Sequence, residues 1–234
     1  MFLNGKEITD LHIPDDITYV SDNAFNGGLY INSVTFTNNI DSIGRRAFRK
    51  CGFSSIEIPD CVTKIGAGAF ATCPYLKSAK LSNNLVKIEK SLFYNSAQLE
   101  SVSIGKNTKA ISCINFGECP YLKKIYCYAD IVLEVARESG GWIENFMRLQ
   151  RDTMTLYVPD RLINDYKNTI PWKYFGEIRG IESSSINSIK YDPRNYDIYN
   201  IQGNKLVHTR KGLNIVKDKT GKTIKNNKVI IIKV

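Results

Sequence analysis

The 234-residue chain reads as an α/β-type solenoid with a narrow parallel sheet along one face, followed by a small antiparallel β module. Three observations predict this. First, Phe25, Phe48, Phe70, Phe93 and Phe116 recur at intervals of 23, 22, 23 and 23 residues. Second, the same order of residue types surrounds each of them. Eight positions before stand Ile17, Ile40, Val62, Leu85 and Thr108, and five before stand Val20, Ile43, Ile65, Ile88 and Ile111. Three after come Gly28, Cys51, Cys73, Ser96 and Cys119, small or sulfur-bearing, and near plus six come Ile31, Phe53, Leu76, Leu99 and Leu122. Each unit closes on an alternating pair: Val34 and Phe36, Ile56 and Ile58, Ala79 and Leu81, Val102 and Ile104, Ile125 and Cys127. A fixed period of this length marks stacked coils, none of which buries its own apolar face alone. Third, the net charge of +9 is uneven: residues 1–185 hold 21 Lys/Arg against 20 Asp/Glu, and residues 186–234 hold 11 against 3. A nearly neutral array with a cationic appendage implies two units with different partners.

Taken in order, residues 2–8 read as strand, turn and strand leading into the array. Residues 1–6 lack a basic start followed by an apolar stretch, so no signal peptide is read there. Because residues 2–8 already read as strand, turn and strand, the chain is expected to be a fragment whose export signal has been removed. No run reaches the roughly 18 to 20 apolar residues of a membrane helix. Residues 11–13 open the first coil, and Pro14 follows them as Pro59 follows Ile58, where a missing N–H falls at the end of a short strand. Within each closing pair two side chains point inward and the residue between them points outward, because successive strand residues face opposite sides. Gly44, Gly66 and Gly68 are expected to ease the bend as the chain turns back.

Over residues 128–153 the repeated phrase gives way to a helical insert, carried by Ile131, Val132 and Val135 and then Trp142, Ile143, Phe146, Met147 and Leu149. Gly140-Gly141 divides it. Residues 155–159 resume the repeat and residues 160–167 read as a short helix. Trp172, Phe175, Ile178 and Ile181 fold over the open end, since a terminal coil needs a cap. The last coil and cap thus occupy 154–181 of an array spanning 1–181. A linker at 182–189 contains Ser183-Ser184-Ser185. Residues 190–234, short apolar runs separated by turn signals, read as the basic β module, near the size where an isolated core is marginal.

Six cysteines are compatible with three disulfides, yet Cys51, Cys73 and Cys119 share one repeat column, where free thiols serve as small buried hydrophobes. No CxxC pair or Cys/His cluster with zinc spacing accompanies Cys61, Cys113 and Cys127.

The phrase Ile58-Pro59-Asp60-Cys61-Val62-Thr63-Lys64-Ile65-Gly66-Ala67-Gly68-Ala69-Phe70, with Cys73 and Leu76, resembles the repeat of BspA-like leucine-rich repeat proteins. Leu156-Tyr157-Val158-Pro159, Tyr166-Lys167, Trp172-Lys173 and Phe175 resemble the irregular last coil of that family, so the resemblance spans residues 3–181. It implies a right-handed, curved leucine-rich repeat array, exported to the surface of bacteria or certain protists and used for adhesion or protein binding, not an enzyme. In the tail, Tyr199-Asn200-Ile201-Gln202-Gly203-Asn204-Lys205-Leu206, Lys211-Gly212-Leu213-Asn214-Ile215-Val216 and residues 228–234 are similar to C-terminal modules of Bacteroidetes surface and secreted proteins. Some of those resemble type IX sorting domains.

Catalytic chemistry finds no foothold in the sequence. His12 and His208 have no local nucleophile and orienting acid at triad spacing, and an exposed surface residue accounts for His12. Gly66-x-Gly68 lacks the third glycine and the βαβ setting of a phosphate loop. Asp15-Asp16 is an adjacent acidic pair in a turn, and no EF-hand spacing is present. No cofactor and no metal are expected. The surviving candidate is the outward strand column His12, Thr35, Glu57, Lys80, Ser103 and Tyr126, spaced about 5 Å from coil to coil. Beside it run Ser33, Ser55, Ser78, Ser101 and Lys124. A merely solvated strand surface is the plain alternative for any single member.

In the tail, Lys205, Arg210, Lys211, Lys217, Lys219, Lys222, Lys225 and Lys228 provide salt-sensitive attraction to polyanions, or guard strand edges against aggregation. Without interleaved aromatics they do not predict nucleic-acid binding. The sequence reads as a non-enzymatic surface or secreted binding protein whose partner is a protein, such as host extracellular matrix, or a glycan. The alternative is a structural spacer whose basic C-terminal module mediates sorting or envelope attachment.

Overall fold

The computed structural model describes residues 9–112, 114–136 and 151–181, together with the backbone of short strands at 2–3, 6–7, 196–199, 205–206 and 215–218. The chain divides into two units, Met1–Glu182 and Ser183–Val234. Among the described residues, no helix is long and apolar enough to cross a membrane.

Strands β1 (Phe2–Leu3) and β2 (Lys6–Glu7) form an antiparallel hairpin. The coils then alternate between two parallel ladders. The first contains β3 (Asp10–His12), β5 (Ser33–Thr35), β7 (Ser55–Glu57), β9 (Ser78–Lys80), β11 (Ser101–Ile104), β13 (Lys124–Cys127), β15 (Thr155–Val158) and β16 (Glu177–Gly180). β3 pairs with β5, and β7 through β16 form one six-stranded sheet in sequence order. The second ladder contains β4 (Tyr19–Val20), β6 (Ser42–Ile43) and β8 (Lys64–Ile65), then β10 (Lys87–Ile88), β12 (Ala110–Ser112) and β14 (Glu134–Ala136). Parallel strands arise because each coil returns to the same starting side before adding its next strand.

Between the second ladder and the next strand of the first, each coil makes tight turns around its phenylalanine. The rings stack: Phe25 on Phe48 at 5.2 Å, Phe48 on Phe70 at 5.6 Å, Phe70 on Phe93 at 6.1 Å and Phe93 on Phe116 at 6.3 Å. The last four are fully buried. Backbone N–H groups two before, at and two after Phe48 donate to Ala67, Ala69 and Ala71 of the next coil, at 3.1, 2.9 and 3.0 Å. The same three-bond pattern joins Gly68, Phe70 and Thr72 to Lys90, Leu92 and Tyr94. To form it, the residues two before and two after the ring adopt left-handed backbone: Asn23, Arg46, Gly68 and Ser91 before, and Gly27, Lys50, Thr72, Asn95 and Glu118 after.

The plus-three column hydrogen-bonds along the stack. Cys51 Sγ donates to the Phe25 carbonyl at 3.3 Å, Cys73 Sγ to Phe48 at 3.3 Å, Ser96 Oγ to Phe70 at 3.0 Å and Cys119 Sγ to Phe93 at 3.2 Å. Cys51, Cys61, Cys73, Cys119 and Cys127 are free thiols; Cys113 lies outside the described residues. Thr108, the polar member of the minus-eight column, is buried and donates Oγ1 to the Leu85 carbonyl at 2.7 Å. Its hydroxyl is thereby satisfied where its neighbours are aliphatic.

Several expectations are corrected. The α/β character is absent from the coils: they cross back through strands of two or three residues and tight turns, and the α-helix described is α1 (Ile163–Asn168). The helix expected from Ile131, Val132 and Val135 gives way to strand β14, because Val135 pairs with Ile111 and continues the second ladder after the phenylalanine signature is lost. The remainder of that insert, from Trp142 to Leu149, lies outside the described residues. Gly44 and Gly66 serve close packing, not a special backbone angle: a Cβ at Gly66 would stand 2.6 Å from the Arg45 nitrogen. Only Gly68 of the three has a positive φ, 66°. Ile17 is exposed because the first coil has no preceding neighbour among the described residues.

At the other end, Trp172 and Phe175 are buried. Tyr166 lies edge-on to Trp172 at 5.4 Å, its hydroxyl accepts from the Leu133 N–H at 3.1 Å, and Trp172 Nε1 donates to the Leu133 carbonyl at 2.9 Å. Ile178 does not fold over the end; it sits in β16, which extends the sheet by one more strand. In the second unit, β17 (Tyr196–Tyr199) pairs antiparallel with both β18 (Lys205–Leu206) and β19 (Ile215–Asp218). The linker and the remaining tail residues lie outside the described residues.

Candidate functional site

The first ladder sets its outward residues in rows. Register pairs His12 with Thr35 in β3 and β5, and then Glu57 with Lys80, Lys80 with Ser103, Ser103 with Tyr126, Tyr126 with Tyr157 and Tyr157 with Arg179. Register therefore sets His12 beside Thr35 in one pair of strands, and Glu57, Lys80, Ser103 and Tyr126 in one row of the six-stranded sheet, which Tyr157 and Arg179 continue. The adjacent row runs Ser55, Ser78, Ser101, Lys124, Thr155 and Glu177, with Asp10 and Ser33 in the first pair of strands.

Tyr157 was legible from alternation, since it lies between the buried Leu156 and Val158. Arg179 was not: its segment carries no repeat phrase and joins the sheet only because β16 pairs with β15.

The row is chemically graded. Near one end Lys80 Nζ is ion-paired with Glu57 Oε1. That carboxylate, by hydrogen bond and by charge, holds the Lys80 ammonium above its ordinary range. Both side chains are well exposed, so the pair contributes little to stability. Ser33 Oγ donates to Asp10 Oδ1 at 2.5 Å in the adjacent row, and this bond, with one from Thr9, holds the Asp10 carboxyl below the ordinary range.

Toward the other end Tyr126 and Tyr157 stack with ring centroids 4.6 Å apart and planes 15° from parallel. Both are partly exposed. Arg179 Nε meets Glu177 Oε1 at 2.5 Å, and this carboxylate raises the guanidinium's pKa further. This end of the face thus has a phenol pair on a fixed backbone, a serine on one side and a paired arginine on the other. Such a face offers aromatic contact area and hydrogen bonding.

A shallow cleft of about 310 Å³ lies beside the turns, lined in part by Asn83, Lys106, Asp130 and Arg161. Asp130 takes up both of its cations, Arg161 at 2.6 Å and Lys106 at 3.5 Å. Asp60 accepts from the Asn83 N–H at 2.8 Å and from its amide at 3.0 Å, which pulls the Asp60 carboxyl down. These groups stitch successive coils together. Among the described residues, no cluster of three or more His, Cys, Asp or Glu is placed to hold a metal ion.

Solved structures with a similar course include leucine-rich repeat proteins from Bacteroides ovatus (21% identity, 74% of this chain and 54% of that chain, TM-score 0.43) and Eubacterium ventriosum (22%, 54% and 37%, TM-score 0.49). A leucine-rich cell surface protein from Faecalibacterium prausnitzii is a third (16%, 74% and 59%, TM-score 0.30). The chain spans about half of the length of the first of these and less of the second. No curated protein matches the sequence. The family pattern described as BspA type Leucine rich repeat region matches residues 1–123 in six copies. That stretch is more than half of the chain and contains the phenylalanine stack, the thiol column and most of both ladders, so the protein belongs to the BspA-type leucine-rich repeat family.

Proposed function

We propose that the protein is a non-enzymatic binding module of a surface or secreted protein, and that the outward face of its first ladder receives a protein or glycan ligand. The observation that carries this reading is the Tyr126–Tyr157 stack. Two aromatic side chains stand partly exposed on the outer side of a sheet whose core lies on the other side, so core burial does not account for them. Aromatic and arginine side chains held on a rigid scaffold are the residue types that dominate binding energy at interfaces. Family membership supports the same reading and a location at the cell surface or outside it. The row His12, Thr35, Glu57, Lys80, Ser103 and Tyr126 is the proposed contact surface, extended here by Tyr157 and Arg179.

The test is a binding screen of the whole chain against extracellular-matrix proteins and glycans at two salt concentrations, followed by Tyr126→Ala and Tyr157→Ala. Each substitution is expected to weaken a ligand found in the screen by about 2 kcal/mol, the scale of an interface hot spot. Binding that survives both changes, and the replacement of Glu57 and Lys80, favours the spacer reading, in which the basic C-terminal module carries the attachment.

A further inference from the structure

A second surface stands apart from the sheet face, in the turns around Phe48. Arg45, Arg46, Arg49 and Lys50 occupy the positions three and two before and one and two after the ring, and all four side chains reach solvent. No neighbouring coil resembles this one. At the same positions the first coil has Asp22, Asn23, Asn26 and Gly27, and the third has Ala67, Gly68, Ala71 and Thr72. Among the described residues, no carboxylate lies within ion-pair distance of these four cations. The acid of the preceding coil, Asp22, uses its Oδ1 to accept from the Arg45 backbone N–H at 2.7 Å and from the Tyr19 hydroxyl at 3.2 Å.

The backbone that carries these cations is held in place. Arg46 and Lys50 have φ of 52° and 61°, and their N–H groups donate to Ala67 and Ala71 of the next coil. Left-handed backbone is unfavourable for a long side chain; elsewhere the column of Arg46 carries Asn23, Gly68 and Ser91, and that of Lys50 carries Gly27, Thr72, Asn95 and Glu118. Beside Arg46 the next coil is bare: its Cγ lies 3.5 Å from where a Cβ on Gly68 would stand, so the arginine stem runs over the glycine. Ala67 and Ala71 keep the rest of that shelf low.

We infer that these turns form an anion-binding patch for a sulfated polysaccharide, independent of the sheet face. Three guanidinium forks and an ammonium, carried on one coil, match sulfate groups spaced along a short stretch of glycan chain. Nucleic acid fits less well: Phe48 and Phe70, the rings of this turn and the next, are buried and present no face for a base to stack on. A lipid surface fits less well because Ala47 and Phe48, the apolar residues of the turn, point into the core and offer nothing to insert.

The test uses the whole chain and its Arg45→Gln/Arg46→Asn/Arg49→Gln variant, with binding to a heparin-derived oligosaccharide measured by titration at two salt concentrations. Asparagine suits the left-handed position, so Arg46→Asn alone is expected to leave the thermal unfolding midpoint unchanged or higher while weakening binding. The triple variant is expected to bind about tenfold more weakly at low salt, from roughly a twofold loss at each exposed, screened contact. Both proteins also carry glutamine at the eight basic tail positions named above, so that the tail does not bind the oligosaccharide in parallel and mask a loss at the turns. Unchanged affinity in the triple variant would overturn the assignment. So would equal loss of binding to a desulfated chain, or tighter patch-dependent binding to duplex DNA, polyglutamate or phosphatidylserine vesicles. Because Tyr126 and Tyr157 are untouched, failure here leaves the reading of the sheet face standing.

Discussion

Phe70→Ala tests the core of the stack most directly. Phe70 is fully buried and lies between two parallel rings, Phe48 at 5.6 Å and Phe93 at 6.1 Å, with Phe53 edge-on at 6.2 Å. Truncation removes the ring from both coil interfaces at once, and the neighbouring backbone is pinned by inter-coil hydrogen bonds that limit collapse into the void. Cavity formation at such a site costs about 3 to 5 kcal/mol, with the upper half expected here because two stacked contacts are also lost. Phe25→Ala is the control: the same residue type in the end coil, only half-buried and stacked on one partner. It should cost about 1 to 2 kcal/mol, since it leaves a notch open to water instead of a closed void. Urea denaturation followed by circular dichroism gives both values from the shift in midpoint at constant slope. Equal losses for the two variants would refute the nearest-neighbour account of this stack.

Gly52→Ala should destabilise by about 3 kcal/mol despite adding only a methyl group, because its Cβ would stand 1.9 Å from the Leu29 carbonyl oxygen and the obstacle is backbone; thermal melting checks it. Burial pushes the thiols of Cys51, Cys73 and Cys119 up from 9.0 to about 12. The folded state therefore retains protons that the unfolded chain gives up above about pH 9, so this contribution is complete below that pH and is lost as pH rises toward 12. Denaturation midpoints across that window should fall, and Cys73→Ser, which copies the hydrogen bond already made by Ser96, should make the fall shallower. Tyr166→Phe leaves the buried Leu133 N–H without its acceptor and should cost about 1 to 3 kcal/mol, with faster hydrogen exchange at that amide as the specific readout.

The columns were legible because stacking repeats one environment many times. A single phenylalanine says little, but five in register identify a ring stack, and the same logic assigned free thiols to the plus-three column. Legibility failed where the environment stopped repeating. Val135 keeps the second ladder after its phenylalanine is gone, so a period-based reading mistook its surroundings for a helix. The left-handed positions escaped notice because Arg46, Lys50, Thr72 and Glu118 stand where glycine would have signalled them. Coil-to-coil hydrogen bonds impose that backbone, and no local preference of those residues reveals it. On the sheet face, alternation placed the row, but the stacking of Tyr126 on Tyr157 depended on the skip from residue 126 to residue 157 returning in register, which spacing alone does not give.

The backbone bonds of the ring turns run one way, opposite to the side-chain bonds of the plus-three column. N–H groups of each ring turn point toward the following coil, and the carbonyls three before, one before and one after each ring point back. The two ends of the array are therefore unlike: the first coil carries the ring-turn carbonyls of Asp22, Ala24 and Asn26, while the other end is closed by Tyr166, Trp172 and β16. An assembly that lengthened this array by its ladders would have to join copies head to tail, with no two-fold axis between them.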